Sequence, residues 1–352
     1  MMENRAIVWW LRIVGLFVVA TLLVGGATRI TDSGLSITEW KPLLGVIPPL
    51  SEKGWEAALE LYRQIPEYQL INRGMSLAEF QVIYLWEWAH RLIARTIGLV
   101  FFVPFVVFWV RGMLPGWFKP WGILLLALGG LQGAVGWWMV TSGLTERVDV
   151  SQYRLAVHLS IACIILALTV WLSERLAGRC GRNIVPRAVR LTGIALPFAI
   201  LCQIALGALV AGLDAGLASD TWPLMAGALV PDGLLAITPA WLNAFENPLT
   251  VQFDHRIVGY AVLALAVAHA LLALRAPAGA AAGSPARQAT LVLALVAAQA
   301  VSGIFVVLHQ VPPVLAGTHQ VTAAITLWAA VVLAARLGSA PRAVGVEAVP
   351  AR

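Results

Sequence analysis

This sequence has few charged residues. Only 12% of its 352 residues are Asp, Glu, Lys or Arg, whereas 60% are hydrophobic and the mean hydropathy is +0.82. A water-soluble domain needs more polar surface than this composition supplies. The shortage of charge therefore excludes a soluble globular protein and predicts a chain that folds within a lipid bilayer.

Cysteine is scarce as well. The chain has three cysteines: Cys163 and Cys202 fall in predicted spans and Cys180 falls in a predicted cytoplasmic loop, so none lies on the outer side of the membrane. A disulfide on the outer side is therefore excluded. The formal net charge of +6 is interpreted as a signal of helix orientation in the membrane and indicates no nucleic-acid partner.

Eight apolar stretches are long enough to cross a bilayer as α-helices. A spanning helix needs ~20 mostly apolar residues, because hydrocarbon offers no hydrogen-bond partner to the backbone. The predicted fold class is an all-α integral membrane protein. The predicted spans lie near residues 6–28, 84–110, 121–140, 153–174, 189–213, 252–274, 288–308 and 315–335.

The distribution of Lys and Arg predicts the orientation of these spans. With a cytoplasmic N-terminus, the inside segments hold 14 Lys and Arg residues, including Arg342 and Arg352, and the outside segments hold 7. This bias predicts that both termini are cytoplasmic. The first ten residues, MMENRAIVWW, run directly into the first span. We therefore expect no cleaved leader and a location in a bacterial inner membrane.

The two halves of the chain repeat the same features in the same order. We expect a duplicated four-helix unit, giving two pseudo-symmetric four-helix bundles, residues 1–180 and 181–352, related by an axis along the membrane normal. The long outside loop at 29–83 has helical spacing from residue 52 to 64 and, with the shorter loop at 214–248, is predicted to lie over the bundles. The matched features are DSGL at 32–35 with DAGL at 214–217, EWAHR at 87–91 with QFDHR at 252–256, Gln132 and Gly136 with Gln299 and Gly303, and His158 with His319.

Histidine within a membrane span is costly and marks a candidate functional site. Four of the six histidines lie near the outer end of a predicted span, ~6–10 Å deep at 1.5 Å per residue. The repeat pairs His90 with His158 and His255 with His319. Two facing neutral imidazoles suit a haem iron, whereas they are too few for copper or zinc. The alternative is that each histidine makes an interhelical hydrogen bond. Two others lack counterparts and are interpreted as structural or interfacial: His269 and His309.

Charged residues beside these histidines distinguish the two predicted sites. Arg91 and Arg256 each follow a candidate ligand and are predicted partners of haem propionates; the alternative is snorkelling to the interface. Glu87 lies one turn before His90, where the second half has Gln252. A buried carboxylate there predicts chemistry, such as moving a proton. The alternative is an ion pair of Glu87 with Arg91 or Arg95.

Several motifs together resemble the haem A synthase family, in its proteobacterial and mitochondrial branch, over nearly the whole chain. They are TDSGL at 31–35, ITEWKP at 37–42, PP at 48–49, EWAHR at 87–91 and QFDHR at 252–256. Some bacterial members carry paired cysteines in the outside loops after the first and fifth helices, and this chain has none there. A mechanism that needs those thiols is therefore excluded.

The resemblance implies oxidation of the C8 methyl of haem O to a formyl group, by successive hydroxylation and loss of water, to give haem A for cytochrome oxidase. It implies that His90 and His158 hold the substrate haem O, that His255 and His319 hold a permanent haem b, and that Glu87 is catalytic. The partners implied are haem O synthase, oxidase assembly factors and membrane lipid, with an external electron donor that the sequence does not identify.

Two other functions fit parts of the pattern. A dihaem b-type cytochrome that carries electrons to or from quinone would use both histidine pairs but has no need of Glu87. A transporter with repeats would place its polar residues or broken helices at the bilayer midplane. The strongest polar cluster here lies near one interface instead, which disfavours the transporter.

Overall fold

The computed structural model describes residues 2–41, 44–276 and 285–338. Pro42, Arg342 and Arg352, which entered the sequence analysis, lie outside these residues. Within them, eight helices are long and apolar enough to cross a membrane, which confirms the predicted multi-span all-α class. These helices are α1 (Met2–Ile30), α4 (Leu77–Val110), α5 (Lys119–Thr141), α6 (Gln152–Leu176), α7 (Arg187–Gly212), α9 (Pro248–Arg275), α10 (Pro285–Leu308) and α11 (Pro313–Arg336).

Shorter elements connect the spanning helices. The short α-helices are α2 (Glu52–Tyr62), α3 (Pro66–Leu70) and α8 (Asn243–Glu246), and single 3-10 turns occur at Leu44–Val46, Ala215–Leu217 and Ala240–Leu242. Two-residue strands β1 (Asn183–Ile184) and β2 (Leu337–Gly338) pair in parallel. This pairing ties the segment before α7 to the end of α11.

Helix α4 begins at Leu77, before the predicted start of its span near residue 84. Its start is fixed by a capping box, in which Ser76 Oγ accepts from the Glu79 amide and Glu79 accepts from the Ser76 amide. At 34 residues the helix is about 51 Å long, against a hydrocarbon core of about 30 Å. The extra length includes its first turns, which precede the predicted span and pack against the outside loop.

The outside loop packs onto these first turns. Helix α2 confirms the helical spacing predicted for 52–64. Tyr62, at its end, and Phe80, in α4, have no exposed surface, and their ring centroids are 5.3 Å apart. The same apolar cluster includes Leu35 and Val140. The loop thus covers the outer ends of α4 and α5, as the sequence analysis expected of a covering loop.

The spanning helices have defined neighbours. In the first half, α1 packs against α4 and α6, and α5 packs against α6; in the second, α7 and α10 each pack against α9 and α11. Between the halves, α6 packs against α7, and α11 against α1 and α6. The main core lies at this junction and includes Leu166, Leu196 and Leu327. The division into bundles 1–180 and 181–352 remains a prediction, and residues 339–352 lie outside the described part of the chain.

Two ion-pair clusters join the halves at opposite ends of the helices. At the outer end, one cation reaches three carboxylates: Arg29 lies 3.0 Å from Asp32, 2.9 Å from Asp214 and 3.8 Å from Asp149. At the inner end, one buried carboxylate faces three cations: Glu174 lies 2.7 Å from Arg336, 3.5 Å from Arg179 and 3.6 Å from Arg12. Partial burial makes these pairs stronger constraints than surface ion pairs.

Candidate functional site

Each of the four candidate ligands packs against a glycine of a neighbouring helix. His90 faces Gly25, His158 faces Gly136, His255 faces Gly207 and His319 faces Gly303. A Cβ added to these glycines would lie 2.6, 2.9, 3.1 and 3.0 Å, respectively, from the Cε1 atom of the facing ring. At Gly25 and Gly136 an added Cβ would force the facing ring to move, and at Gly207 and Gly303 it would make a contact tighter than most side chains show. Glycine therefore lets each ring lie close to the neighbouring helix.

Three of these contacts include a glutamine four residues before the glycine. The side-chain amides donate to the backbone carbonyl of the histidine, over 3.0 Å from Gln132 to His158, 2.9 Å from Gln203 to His255 and 2.7 Å from Gln299 to His319. At the fourth contact the residue four positions before the glycine is Thr21. The same helix-pair contact thus occurs four times.

Sequence reasoning missed two of the glycines, Gly25 and Gly207, and the matching Thr21 and Gln203. The signal was present, because the shift of 182 residues that aligns Asp32 with Asp214 also aligns both missed pairs. The prediction used this shift only for the DSGL and DAGL motifs, and it matched glutamine and glycine only in the third and seventh predicted spans.

The histidines fit the axial-ligand role predicted for them. His90 lies within electrostatic reach of His158, and His319 of His255. The Nδ1 atoms of His90 and His158 are buried without a hydrogen-bond partner. Among the described residues, no group of three or more His, Cys, Asp or Glu can hold a metal ion. A pair of imidazoles suits a metal that already has its other ligands, as haem iron has.

Glu87 is buried, with 2% of its surface exposed, and is surrounded by donors. Its carboxylate accepts from Ser36 Oγ and the Ile37 amide, each at 2.7 Å, and from Arg91 at 2.6 and 3.0 Å. Arg91 also donates to the carbonyls of Ile37 and Glu39. The ion pair that the sequence analysis left open as an alternative is therefore present. The carboxylate is arranged as an acceptor that holds residues 36–39 against α4.

The second half repeats this arrangement without the charge. Arg256 donates to the carbonyls of Ser219 and Thr221, as Arg91 does to residues 37 and 39. Gln252 accepts from Arg256 and donates to the carbonyls of Gly216 and Ser219. We call these two sets, Glu87 with Arg91 and Gln252 with Arg256, the loop clamps. Both arginines donate hydrogen bonds to loop carbonyls. Their contacts with haem propionates therefore stay a prediction.

The other two histidines lie away from the pairs. His269 is 1% exposed, and its Nδ1 lies 2.9 Å from Thr192 Oγ1. His309 is exposed just beyond α10, and its Nδ1 lies 2.9 Å from the Phe305 carbonyl. These positions agree with the structural and interfacial roles expected of them.

The first half has a gap between α4 and α5 that the second half does not have between the matching helices α9 and α10. α4 and α5 touch only over a short stretch, whereas α9 and α10 pack along much of their length. Four glycines of α4 and α5 have no atom within 4 Å of an added Cβ: Gly98, Gly129, Gly130 and Gly133. The repeat places larger residues at the matching positions: Leu263, Val296, Ala297 and Ala300. We call the gap between α4 and α5 the open seam.

A further buried carboxyl lies in the outside loop. Glu67, in α3, is 4% exposed, and its Oε2 has no hydrogen-bond partner. Burial raises the pKa of Glu67 to about 8, although a hydrogen bond from Tyr62 opposes the rise. The Tyr62 hydroxyl itself accepts from Asn72 over 2.8 Å. No local pattern in this polar segment predicts a buried acid.

Comparison with known proteins gives a consistent result. Residues 8–332 match the profile of the COX15-CtaA family, described as "Cytochrome oxidase assembly protein". The chain is 56% identical over 318 residues to "Heme A synthase" of Chelativorans sp. (strain BNC1), covering 90% of this chain and 87% of that protein. It is 52% identical over 330 residues to "Heme A synthase" of Azorhizobium caulinodans, covering 93% of both. It is 48% identical over 348 residues to "Heme A synthase" of Sinorhizobium fredii, covering 98% of this chain and 94% of that protein.

Proposed function

Because the chain belongs to the COX15-CtaA family of cytochrome oxidase assembly proteins, we propose that it is a haem A synthase that oxidises the C8 methyl of haem O to a formyl group. The name "Heme A synthase" of its relatives supports an enzyme that makes haem A. The observation in the structure that supports it best is the set of four histidine–glycine contacts, arranged as two pairs. The product serves a terminal oxidase in the bacterial inner membrane.

We assign the substrate haem O to His90 and His158, and a permanent haem b to His255 and His319. The open seam supports this order, because a haem that must arrive and leave needs a gap between helices that a permanent haem does not. Haem b, when bound, supplies a one-electron carrier between an external donor and the substrate. The chain's own contribution is to hold each imidazole against a glycine and to fix its orientation.

Glu87 is the residue that we expect to matter most for the reaction. It lies one turn before His90 and, with Arg91, fixes residues 36–39 over the outer end of the first pair. Four donors surround its carboxylate, so its role is to place Arg91 and the loop rather than to release a proton. An electron carrier that only cycles two haems would not need a charged clamp in one half and a neutral one in the other.

The inner-end ion pairs support cytoplasmic termini. Arg12 near the start of α1, Glu174 near the end of α6 and Arg336 at the end of α11 meet in one cluster, so these ends lie on one side of the membrane. The Lys and Arg bias of the loops assigns that side to the cytoplasm. The clamps and both histidine pairs then lie toward the periplasm.

Haem analysis tests the proposed function. The protein would be purified from cells with and without a source of haem O, and its haems identified by chromatography and mass. Haem A or hydroxylated haem O is expected, and His90→Ala should lose it, whereas His255→Ala should lose haem b. Stoichiometric haem b alone under every condition, together with a functional oxidase in cells that lack the protein, would overturn the proposal in favour of an electron-carrying cytochrome.

A further inference from the structure

One candidate ligand has a hydrogen-bond partner that its counterpart lacks. Ser302 Oγ lies 2.7 Å from His319 Nδ1 and donates its own proton to the Gln299 carbonyl over 3.0 Å. The serine oxygen is therefore free to accept the Nδ1 proton of His319. The Gln299 amide nitrogen, 3.1 Å from the same Nδ1, is a donor and cannot take this role. An imidazole with its proton on Nδ1 has its lone pair on Nε2.

The matching position in the first half is Val135. Both residues lie three positions after the glutamine and one before the glycine of their helix, α10 for Ser302 and α5 for Val135. Valine offers no acceptor, and the Nδ1 atom of His158 is buried without a partner. The Nε2 atom of His158 lies 3.4 Å from the Gln132 amide nitrogen. The two histidines that the repeat equates thus differ at Nδ1, where His319 has an acceptor and His158 has none.

This difference affects how strongly each histidine binds iron. A ligating histidine that donates its other N–H is fixed in orientation and tautomer and becomes a more basic ligand, and loss of that partner typically weakens metal binding about 10–100-fold. A buried N–H without an acceptor also carries a desolvation cost. His319 is therefore expected to bind iron more strongly than His158.

We propose that Ser302 is a positioning residue that makes His319 a strong, permanent haem ligand, and that Val135 leaves His158 a weaker ligand from which haem exchanges. The inference rests on the proposed function, because it assumes haem at both histidine pairs. It deepens that function by giving a chemical reason why one haem is retained and the other released. The difference lies outside the ligand set itself, which is the same in both halves.

The test uses full-length protein from cells that make haem b but no haem O, in a His90→Ala background, so that haem b reports on His255 and His319. Ser302→Ala removes the acceptor without adding bulk. We expect transfer of haem b to excess apomyoglobin to accelerate about 10–100-fold. The midpoint potential should rise by about 59 mV for each tenfold loss confined to the ferric form, and the low-spin ferric spectrum should shift.

Ser302→Thr keeps the hydroxyl and should restore all three readouts. The reciprocal variant Val135→Ser, in an otherwise unchanged chain loaded with haem O, should slow haem O release. Unchanged potential, spectrum and release in Ser302→Ala would overturn the inference, as would failure of Ser302→Thr to restore them. The variant His319→Ala separates failure of this inference from failure of the proposed function. If His319→Ala still retains haem b, the assigned haem ligands are wrong. If His319→Ala loses haem b but Ser302→Ala has no effect, the ligands are right and only the role of Ser302 is wrong.

Discussion

Replacement of Glu87 by Ala gives the sharpest test of the charged loop clamp. The change removes the acceptor for Ser36 Oγ, the Ile37 amide and Arg91. Breaking a fully buried ion pair by removing one partner costs ~3–5 kcal/mol. The Arg91 side chain is 18% exposed and keeps its bonds to two loop carbonyls, so we expect a smaller loss of about 2–3 kcal/mol.

The same change should reduce synthesis of haem A more than it reduces stability. Without the carboxylate, the Ile37 amide and Arg91 no longer fix the loop over the first pair, and misplacement by about 1 Å can cost on the order of 10²-fold in rate. Glu87→Gln should lie between the wild type and Glu87→Ala, because an amide still accepts from Ile37 and is the residue of the neutral clamp.

Thermal unfolding in detergent and extracted haem A per protein would be measured for each variant. Glu60→Ala is the matched control, since Glu60 pairs with Arg63 at 3.1 Å but is 63% exposed, and such pairs contribute little. If Glu87→Ala unfolds at the wild-type temperature and still yields normal haem A, the clamp has neither role and the reasoning is refuted.

Three further predictions concern the glycines and the outside loop. Gly136→Ala should lower the amount of haem O and haem A per protein and Gly303→Ala should lower the amount of haem b, because an added Cβ would lie 2.9 and 3.0 Å, respectively, from the facing ring. The extracted haems measure both effects. The control Gly129→Ala, whose added Cβ would meet open space, should behave as wild type. Gly133→Leu should fill the open seam and slow loading of haem O from vesicles that contain it, with haem b content unchanged; normal loading would contradict a route between α4 and α5. Burial raises the pKa of Glu67 from its ordinary value of 4.5 to about 8, so the loop should lose stability as pH rises from about 4.5 to about 8; protease cleavage of the loop should accelerate over that range, and Glu67→Gln should abolish the dependence.

Much of the fold was predictable because hydrocarbon imposes one rule on every span. All eight helices were found from apolar length alone, and the histidines were found because a polar ring in that setting is conspicuous. The start of α4 was harder to predict. Its first turns precede the predicted span, where hydropathy carries no signal and the capping box at Ser76 and Glu79 decides the boundary.

Side-chain partners were predictable only where the repeat supplied a comparison. Glu87 was recognised because Gln252 stands in its place, yet its ion pair with Arg91 remained one of two alternatives until the contacts were known. Ser302 could not be predicted from the sequence, because a serine in a helix can have many roles. Only its distance from His319 indicates that it accepts a hydrogen bond from that ring. Burial of Glu67 depends on how the loop folds back on α4, which no local pattern encodes.

The open seam also concerns the solvent around the protein. Where α4 and α5 do not touch, lipid acyl chains cover the exposed glycines. On the proposed assignment of haem O to the first pair, an incoming haem has to displace these chains. Lipid and substrate therefore compete for the same volume, so that the packing and thickness of the bilayer contribute to how readily the first half is loaded. The second half, closed by contact between α9 and α10, has no such dependence on its surroundings.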